Sequence, residues 1–467
     1  MRLKALFLIV VASFPAAAAE FDFGRTMRVD YFHTSTPRGD EIVALHGVVN
    51  DGPWPGSRTR LVDTSNLGKY YYEVIDRDTN QVAFSKGFAS VYGEWETTPE
   101  AKQRPATFHE SLRFPWPKKP VQVTLKKRDS ENAFQQIWSV VVDPESRFVN
   151  PAPVRAAGKV WSYLESGPAS QKVDLLIIGE GYTEAEMPKL RKDVERLASK
   201  LFATEPFKSR KSDFNVRVLE LPSTKSGVHR PRTRDDRRTV TGVEYNIFDS
   251  ERYILTLDNK ALRDAAAAAP YDFIEILVNE KQYGGGGIFN DQATSSVDSA
   301  FAEYVFVHEF GHHFAGLGDE YYTSPVAYTT GVTTDFPEPW EPNITANGSR
   351  PKWMEMVSPG TPLPTPWSKE AFEKQQREYQ AERAKLRNAN VPESEMDALF
   401  RREQAIETKM LADEKYANKV GAFEGASYES KGLYRPEVDC IMFTRNEVGF
   451  CDVCARAINR TIDMHTK

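Results

Sequence analysis

The alternation of apolar and polar positions changes character twice along the chain. From Glu20 to about Asn150 it is of β type. KYYYEVI (69–75), the turn residues DRDTNQ and then VAF predict a hairpin, and VQVTL (121–125) and IWSVVV (137–142) predict two further strands. Several short strands separated by turn residues fit a small all-β sandwich over 20–150. The Pro- and Ala-rich stretch DPESRFVNPAPVRAAG (143–158) reads as a linker.

Past the linker, VDLLIIG (173–179) is a continuous apolar run of buried-strand type. Thr183 with Glu186 three residues later is a capping-box pattern, and Met187, Leu190, Val194, Leu197 and Leu201 then recur at helical spacing. FNVRVLEL (214–221) and FIEILVN (273–279) add strands, and 299–315 reads as a helix, so 151–467 is expected to be a mixed α/β domain. The pattern changes again over 369–420, where two highly charged helical segments break at Asn390 to Pro392. Phe372, Tyr379 and Leu386, spaced by seven, supply one narrow apolar seam, which predicts a protruding, solvated helical hairpin.

A length of 467 residues with 40% hydrophobic and 27% charged positions fits two globular domains. The net charge of −6 and the lack of a long basic stripe argue against nucleic-acid binding. MRLK, the apolar run ALFLIVVASF and PAAAAE have the order of a signal peptide over 1–19, with cleavage after Ala19. No later segment is apolar for long enough to span a bilayer, so the mature chain is expected to be exported, periplasmic or secreted. Cys440, Cys451 and Cys454 cluster near the C-terminus. One disulfide and one spare thiol is the expectation, because a Cys-ligated zinc would find three ligands and no convincing fourth.

The chemistry concentrates in HEFGHHFAGLGDEYY (308–322). On a helix, His308 and His312 are about 40° apart around the axis and can aim at one ion, whereas His313 points away. Glu309, about 100° round from His308, is placed to reach a water instead of the metal, as in HExxH zinc hydrolases. Gly316 and Gly318 let the chain turn out of the helix and bring a side chain back. Gly316 and Asp319 fall one position later than the glycine and last ligand of the metzincin pattern, which favours Asp319 as third ligand and leaves Glu320 open. Met442 in DCIMF (439–443) is a candidate for the methionine turn beneath such a metal. YGGGG (283–287) reads either as a flexible loop or as a rim on which an extended substrate could pair with the main chain. Tyr434 and Arg435 could face an oxyanion or merely fix their loop.

With these residues in place, the sequence resembles the IgA peptidase family of secreted bacterial zinc metallopeptidases. VDLLIIGEGYTEAE, EPFKSRKSDFNVRVLELPSTKSGV, YGGGGIF, EGASYESKGLYRP and FCDVC look like family blocks, and GFASVYGEWETT and TFHESLRFP are similar to the β-sandwich that precedes the peptidase. The resemblance implies a multidomain α+β chain with a metzincin-like peptidase domain. It also implies one Zn2+ held by His308, His312 and the acidic position at Asp319, Glu309 as general base, and Met442 under the metal. The expected activity is peptide-bond hydrolysis by a zinc-activated water on a protein or peptide substrate. Two other readings stand beside it: an exported binding protein with a non-catalytic metal site, and a zinc amidase acting on cell-wall or small amides.

Overall fold

A computed structural model describes residues 20–155, 157–233, 236–323 and 336–466; the expected leader over 1–19 lies outside them. The N-terminal region consists of β1 (Phe21–Ser35), β2 (Glu41–Asn50), β3 (Tyr70–Asp76), β4 (Val82–Phe88), the short helix α1 (Val91–Trp95), β5 (Ala106–Pro117), β6 (Val121–Arg128), β7 (Phe134–Val142) and β8 (Val149–Pro153). They form two four-stranded sheets, β5-β1-β2-β8 and β4-β3-β6-β7. Along β3 the alternation is realised residue by residue: Tyr70, Tyr72 and Val74 point inward to meet Val29, Tyr31, Phe114 and Leu125. The β3–β4 hairpin is antiparallel as the pattern requires.

The supposed linker is partly a strand. β8 lies parallel to β2, and Asn50 Nδ2 donates to Pro151 O at 2.9 Å. Pro151 and Pro153 can sit there because β8 is a sheet edge, where missing N–H groups break no ladder.

The second region contains β9 (Lys159–Leu164), β10 (Val173–Glu180), α2 (Met187–Leu201), β11 (Phe214–Glu220), the ribbon β12 (Val243–Glu244) and β13 (Leu255–Thr256), α3 (Asn259–Ala266), β14 (Phe273–Val278), β15 (Gly285–Ile288), β16 (Gln292–Ser296) and α4 (Ala302–Ala315). α5 (Lys369–Asn388), α6 (Glu393–Ala412), β17 (Phe423–Ala426), β18 (Glu429–Arg435) and α7 (Asp452–Thr466) follow. Six strands make a mixed sheet in the order β15-β16-β14-β10-β11-β9, parallel inside and antiparallel at both edges. β10 is buried along its whole length because both faces are covered. Leu175 and Ile177 face the core formed with α2, α4 and α7, and Leu176 and Ile178 face the core that includes α3. The expected capping box is present, with Thr183 N donating to Glu186 Oε2 at 2.9 Å just ahead of α2.

The charged insertion forms the expected helix pair, reversing at Asn390 with φ of 51° before Pro392. It does not protrude. The seam on α5 is matched by a second apolar row on α6, and Tyr379, Met396, Leu399 and Phe400 pack with Tyr283, Phe301 and Val305. The hairpin thus braces α4 one turn before His308. The sandwich is also joined to the second region: Ile247, Leu255, Ile288 and Phe289 share its apolar core, and Ala89 N donates to Phe289 O at 2.9 Å. The chain is therefore a mixed α/β protein with a β-rich N-terminal part. Among the described residues no helix is long and apolar enough to cross a membrane.

Candidate metal centre

α4 ends where the glycine pattern says it should, at Gly316 in the left-handed conformation with φ of 63°. Gly318 then lies against Ile344 and Glu341, and Asn343 brackets it, donating to Gly318 O at 2.9 Å and accepting from Gly318 N at 2.7 Å. This turn brings Asp319 back over the helix. His308 Nε2 and His312 Nε2 are 3.1 Å apart, and Asp319 Oδ1 is 3.1 Å from each. Glu320, the alternative at the sequence level, points the other way into the interior, where Asn343 Nδ2 donates to its Oε1 at 2.9 Å.

The second nitrogen of each imidazole fixes the tautomer. His308 Nδ1 is 2.9 Å from Ile441 O, and His312 Nδ1 is 2.5 Å from Leu317 O. A carbonyl only accepts, so both Nδ1 atoms carry hydrogen and both Nε2 lone pairs face each other and a carboxylate oxygen. Three electron-rich donors at this separation repel unless a cation or protons sit between them. Tetrahedral zinc with bonds of about 2.0–2.1 Å needs its nitrogen and oxygen donors about 3.3 Å apart, so the donor set fits that ion. In the absence of a cation, burial lowers the pKa of His312, but the Asp319 carboxylate outweighs it and raises the value to about 9. Asp319 itself is pushed up by burial and pulled further down by the two imidazoles, ending well below the usual carboxylate range.

Glu309 projects from the same helix into an open cleft whose walls include Tyr253, Gly287, Asp319, Tyr428 and, from the sandwich, Gly93 and Glu94. Its carboxyl lies within 4.8 Å of the His308 and His312 nitrogens. Burial raises its pKa, and the two histidines offset part of that rise. Met442 is fully buried, and its Sδ would stand 3.1 Å from a Cβ placed on Gly311, so it packs on α4 between the turns that carry the two histidines.

The glycine run is not a loose loop: it enters the edge strand β15, and Gly285 and Gly287 line the cleft. Gly285 and Gly287 face α4: a Cβ on Gly287 would stand 2.3 Å from Glu309 O and 2.9 Å from His312 Cβ. Gly284 and Gly286 face the other way, onto Arg252 O and the Tyr253 ring. Gly285 N donates to Arg252 O at 3.1 Å, so part of this sheet edge is already paired within the chain. The alternation of strand faces explains why four glycines are needed: each side is met by another segment at backbone distance.

His313 has a clear structural place. Its Nε2 accepts from Ile274 N at 3.1 Å and its Nδ1 donates to Ile288 O at 2.8 Å, pinning α4 to two strands, and burial lowers its pKa to about 3. Arg435 fixes its loop, donating to Gly425 O at 2.8 Å and lying 3.8 Å from the Phe443 ring centre. The expected disulfide is not formed: Cys440, Cys451 and Cys454 are free and buried.

Three residues at the site carry no pattern in the sequence. The Tyr428 hydroxyl donates to Asp319 Oδ2, from a turn in which Ser427 and Tyr428 hold φ of 48° and 66°. Tyr321 stacks on His308 with ring centres 6.2 Å apart, and Arg252 Nη2 donates to the Tyr321 hydroxyl at 3.1 Å. A fourth, Glu275, left a visible signal as the one charge inside FIEILV. It is fully buried with both oxygens lacking a hydrogen-bond partner, and burial, then the Glu309 charge, holds its carboxyl well above the usual range.

A helix presenting two imidazoles with a carboxyl between them, and a carboxylate returned by the next loop, defines a site of the metallopeptidase class. The comparisons agree: the model of the family described as IgA peptidase M64 matches residues 162–462, and that of the peptidase M64 N-terminus matches 19–139. The chain belongs to the IgA peptidase M64 family. It is therefore a peptidase, a hydrolase acting on proteins or peptides. No curated protein matches the chain.

Proposed function

We propose that the chain is an exported zinc metalloendopeptidase of metzincin-like construction, with His308, His312 and Asp319 holding one Zn2+, Glu309 as general base and Met442 beneath the ion. The observation that carries this reading is the 3.1 Å triangle of Nε2, Nε2 and Oδ1 atoms, with both imidazoles locked by carbonyls into the ligand tautomer. Zinc bound there would polarise the scissile carbonyl and lower the pKa of water towards neutrality. Glu309 takes a proton from the attacking water and returns it to the departing nitrogen. Burial raises the pKa of this carboxyl, which favours the first half of that task, taking the proton.

The protein divides into a leader over 1–19 cleaved after Ala19, a sandwich domain over 20–150 and a peptidase domain over 151–467. An extended polypeptide occupies the cleft between the last two, with Gly93 and Glu94 on one side and Tyr428 on the other. The test is Glu309→Gln on the purified mature chain. Zinc content and folding should match the parent while cleavage of an unfolded protein falls to background, and a chelator should abolish the parent's activity. Retained turnover in a folded, metal-loaded variant overturns the role of Glu309. Absence of any chelator-sensitive polypeptide cleavage by the zinc-loaded parent overturns the peptidase mechanism in favour of a binding protein or an amidase.

A further inference from the structure

Behind the triangle of His308, His312 and Asp319 lies a second convergence of ligand atoms. Glu320, Cys440, Cys451 and Cys454 are all buried and place a carboxylate oxygen and three sulfurs within 4.8 Å of one another. Cys440 Sγ and Cys454 Sγ are 4.0 Å apart, and Cys454 Sγ is 3.4 Å from Glu320 Oε1. A tetrahedral zinc with Zn–S of about 2.3 Å and Zn–O of about 2.0 Å sets its sulfurs about 3.8 Å apart and sulfur to oxygen about 3.5 Å apart. The observed separations match that spacing. A disulfide would need sulfurs about 2 Å apart and would leave the third cysteine and the carboxylate facing it unused.

Two independent features point to a cation as the occupant of this place. Glu320 has no exposed surface, yet its Oε2 has no hydrogen-bond partner, which is costly for a carboxylate in an apolar interior. Cys451 N and Cys454 N, at the start of α7, point at Cys440 Sγ and Cys451 Sγ at 3.3 and 3.5 Å, so backbone N–H groups are aimed at two of the three sulfurs. Three soft sulfurs and one carboxylate make a closed four-ligand set with no open position, the pattern of a structural zinc.

We infer that Glu320, Cys440, Cys451 and Cys454 form a second, structural zinc site, separate from the one that His308, His312 and Asp319 make. Its placement gives it a task. Glu320 directly follows Asp319, and Glu320 N donates to Met442 O at 2.9 Å. Cys440 directly precedes Ile441, whose carbonyl holds His308. One ion bound to these four side chains clamps the loop that returns Asp319, the turn that carries Ile441 and Met442, and the start of α7.

The experiment is metal analysis of the mature full-length chain, purified with zinc present and without reductant. The parent should hold about two zinc ions per chain, and His308→Ala/His312→Ala and Cys454→Ser about one each. The cobalt-substituted parent and the double histidine variant should both show thiolate-to-cobalt charge-transfer absorption, which requires no cysteine variant to fold. The site is refuted if the parent holds a single zinc that His308→Ala/His312→Ala removes, if cobalt gives no thiolate band, or if thiol titration of the denatured parent finds only one free thiol. Because the cobalt signal does not depend on hydrolysis, failure of the peptidase reading would leave this result standing, and the converse.

Discussion

Tyr428 and Asp319 are joined hydroxyl to carboxylate, so one oxygen of Asp319 is held by a phenol while the other faces the two imidazoles. The backbone at Tyr428 carries a positive φ to make this bond, a conformation that costs a bulky residue about 1–3 kcal/mol and persists where surrounding contacts enforce it. Outer partners of this kind fix ligand orientation and basicity. Tyr428→Phe should therefore weaken metal affinity or activity about 10- to 100-fold with the fold intact. Chelator competition together with steady-state kinetics measures both; parent-like values in both would show that the bond does not orient Asp319.

Gly287 meets α4, the helix that carries His308 and His312, at backbone distance, with no room for a methyl group between it and Glu309 O. Gly287→Ala must push α4 off the sheet, at a cost of about 3 kcal/mol and with a larger loss of kcat than of folded protein, since His308 to His312 move with the helix. Gly47→Ala, where a Cβ meets nothing within 4 Å, serves as the control and should be neutral. Denaturant unfolding and turnover of the two variants decide the matter, and equal behaviour would remove the close-approach argument.

In the sandwich, His33 lies between Glu110 Oε2 at 3.0 Å and Glu41 Oε1 at 2.7 Å. Burial lowers its pKa, but the two carboxylates prevail and raise it to about 9. The folded state thus binds this proton more tightly than the unfolded chain, whose imidazole titrates near 6.5. The stabilisation is complete below about pH 6.5 and is lost as the pH rises through 9, amounting to about 3 kcal/mol. Between about pH 6 and pH 9.5 the parent should lose that much more unfolding free energy than His33→Gln. Parallel profiles in urea would contradict it.

Phe400 is buried on α6 against Tyr283 and Phe301, with the Arg445 guanidinium 4.9 Å from its ring centre. Phe400→Ala should cost about 3–5 kcal/mol and lower the melting temperature. If the insertion were a solvated appendage, the same substitution would leave melting and activity unchanged.

The regular elements were legible because their signals are local. The β3–β4 hairpin, the buried β10, the capping box before α2 and the break between α5 and α6 each follow from residues a few positions apart. The position of Asp319 near the histidines was legible for the same reason, being seven residues beyond His312 and past a glycine that can adopt positive φ. Tyr428 and Arg252 reach the site from remote segments and carry no periodicity. Glu320 as a partner of the cysteines was missed because it precedes Cys440 by more than a hundred residues, and proximity across that interval is set by the fold. The packing of the insertion was misjudged because one seam was counted on α5 and the matching row on α6 was not.

Phe289 sits in the sandwich's apolar core while the strand just before it, through Gly287, touches α4. Cutting the chain at the 143–158 stretch would therefore not liberate a smaller working peptidase. The C-terminal piece would bare Ile288 and Phe289 to water and lose the Gly93 and Glu94 wall of its cleft, making it sticky and half-open. The sandwich is therefore part of the cleft wall as well as an attachment, since Gly93 and Glu94 line it.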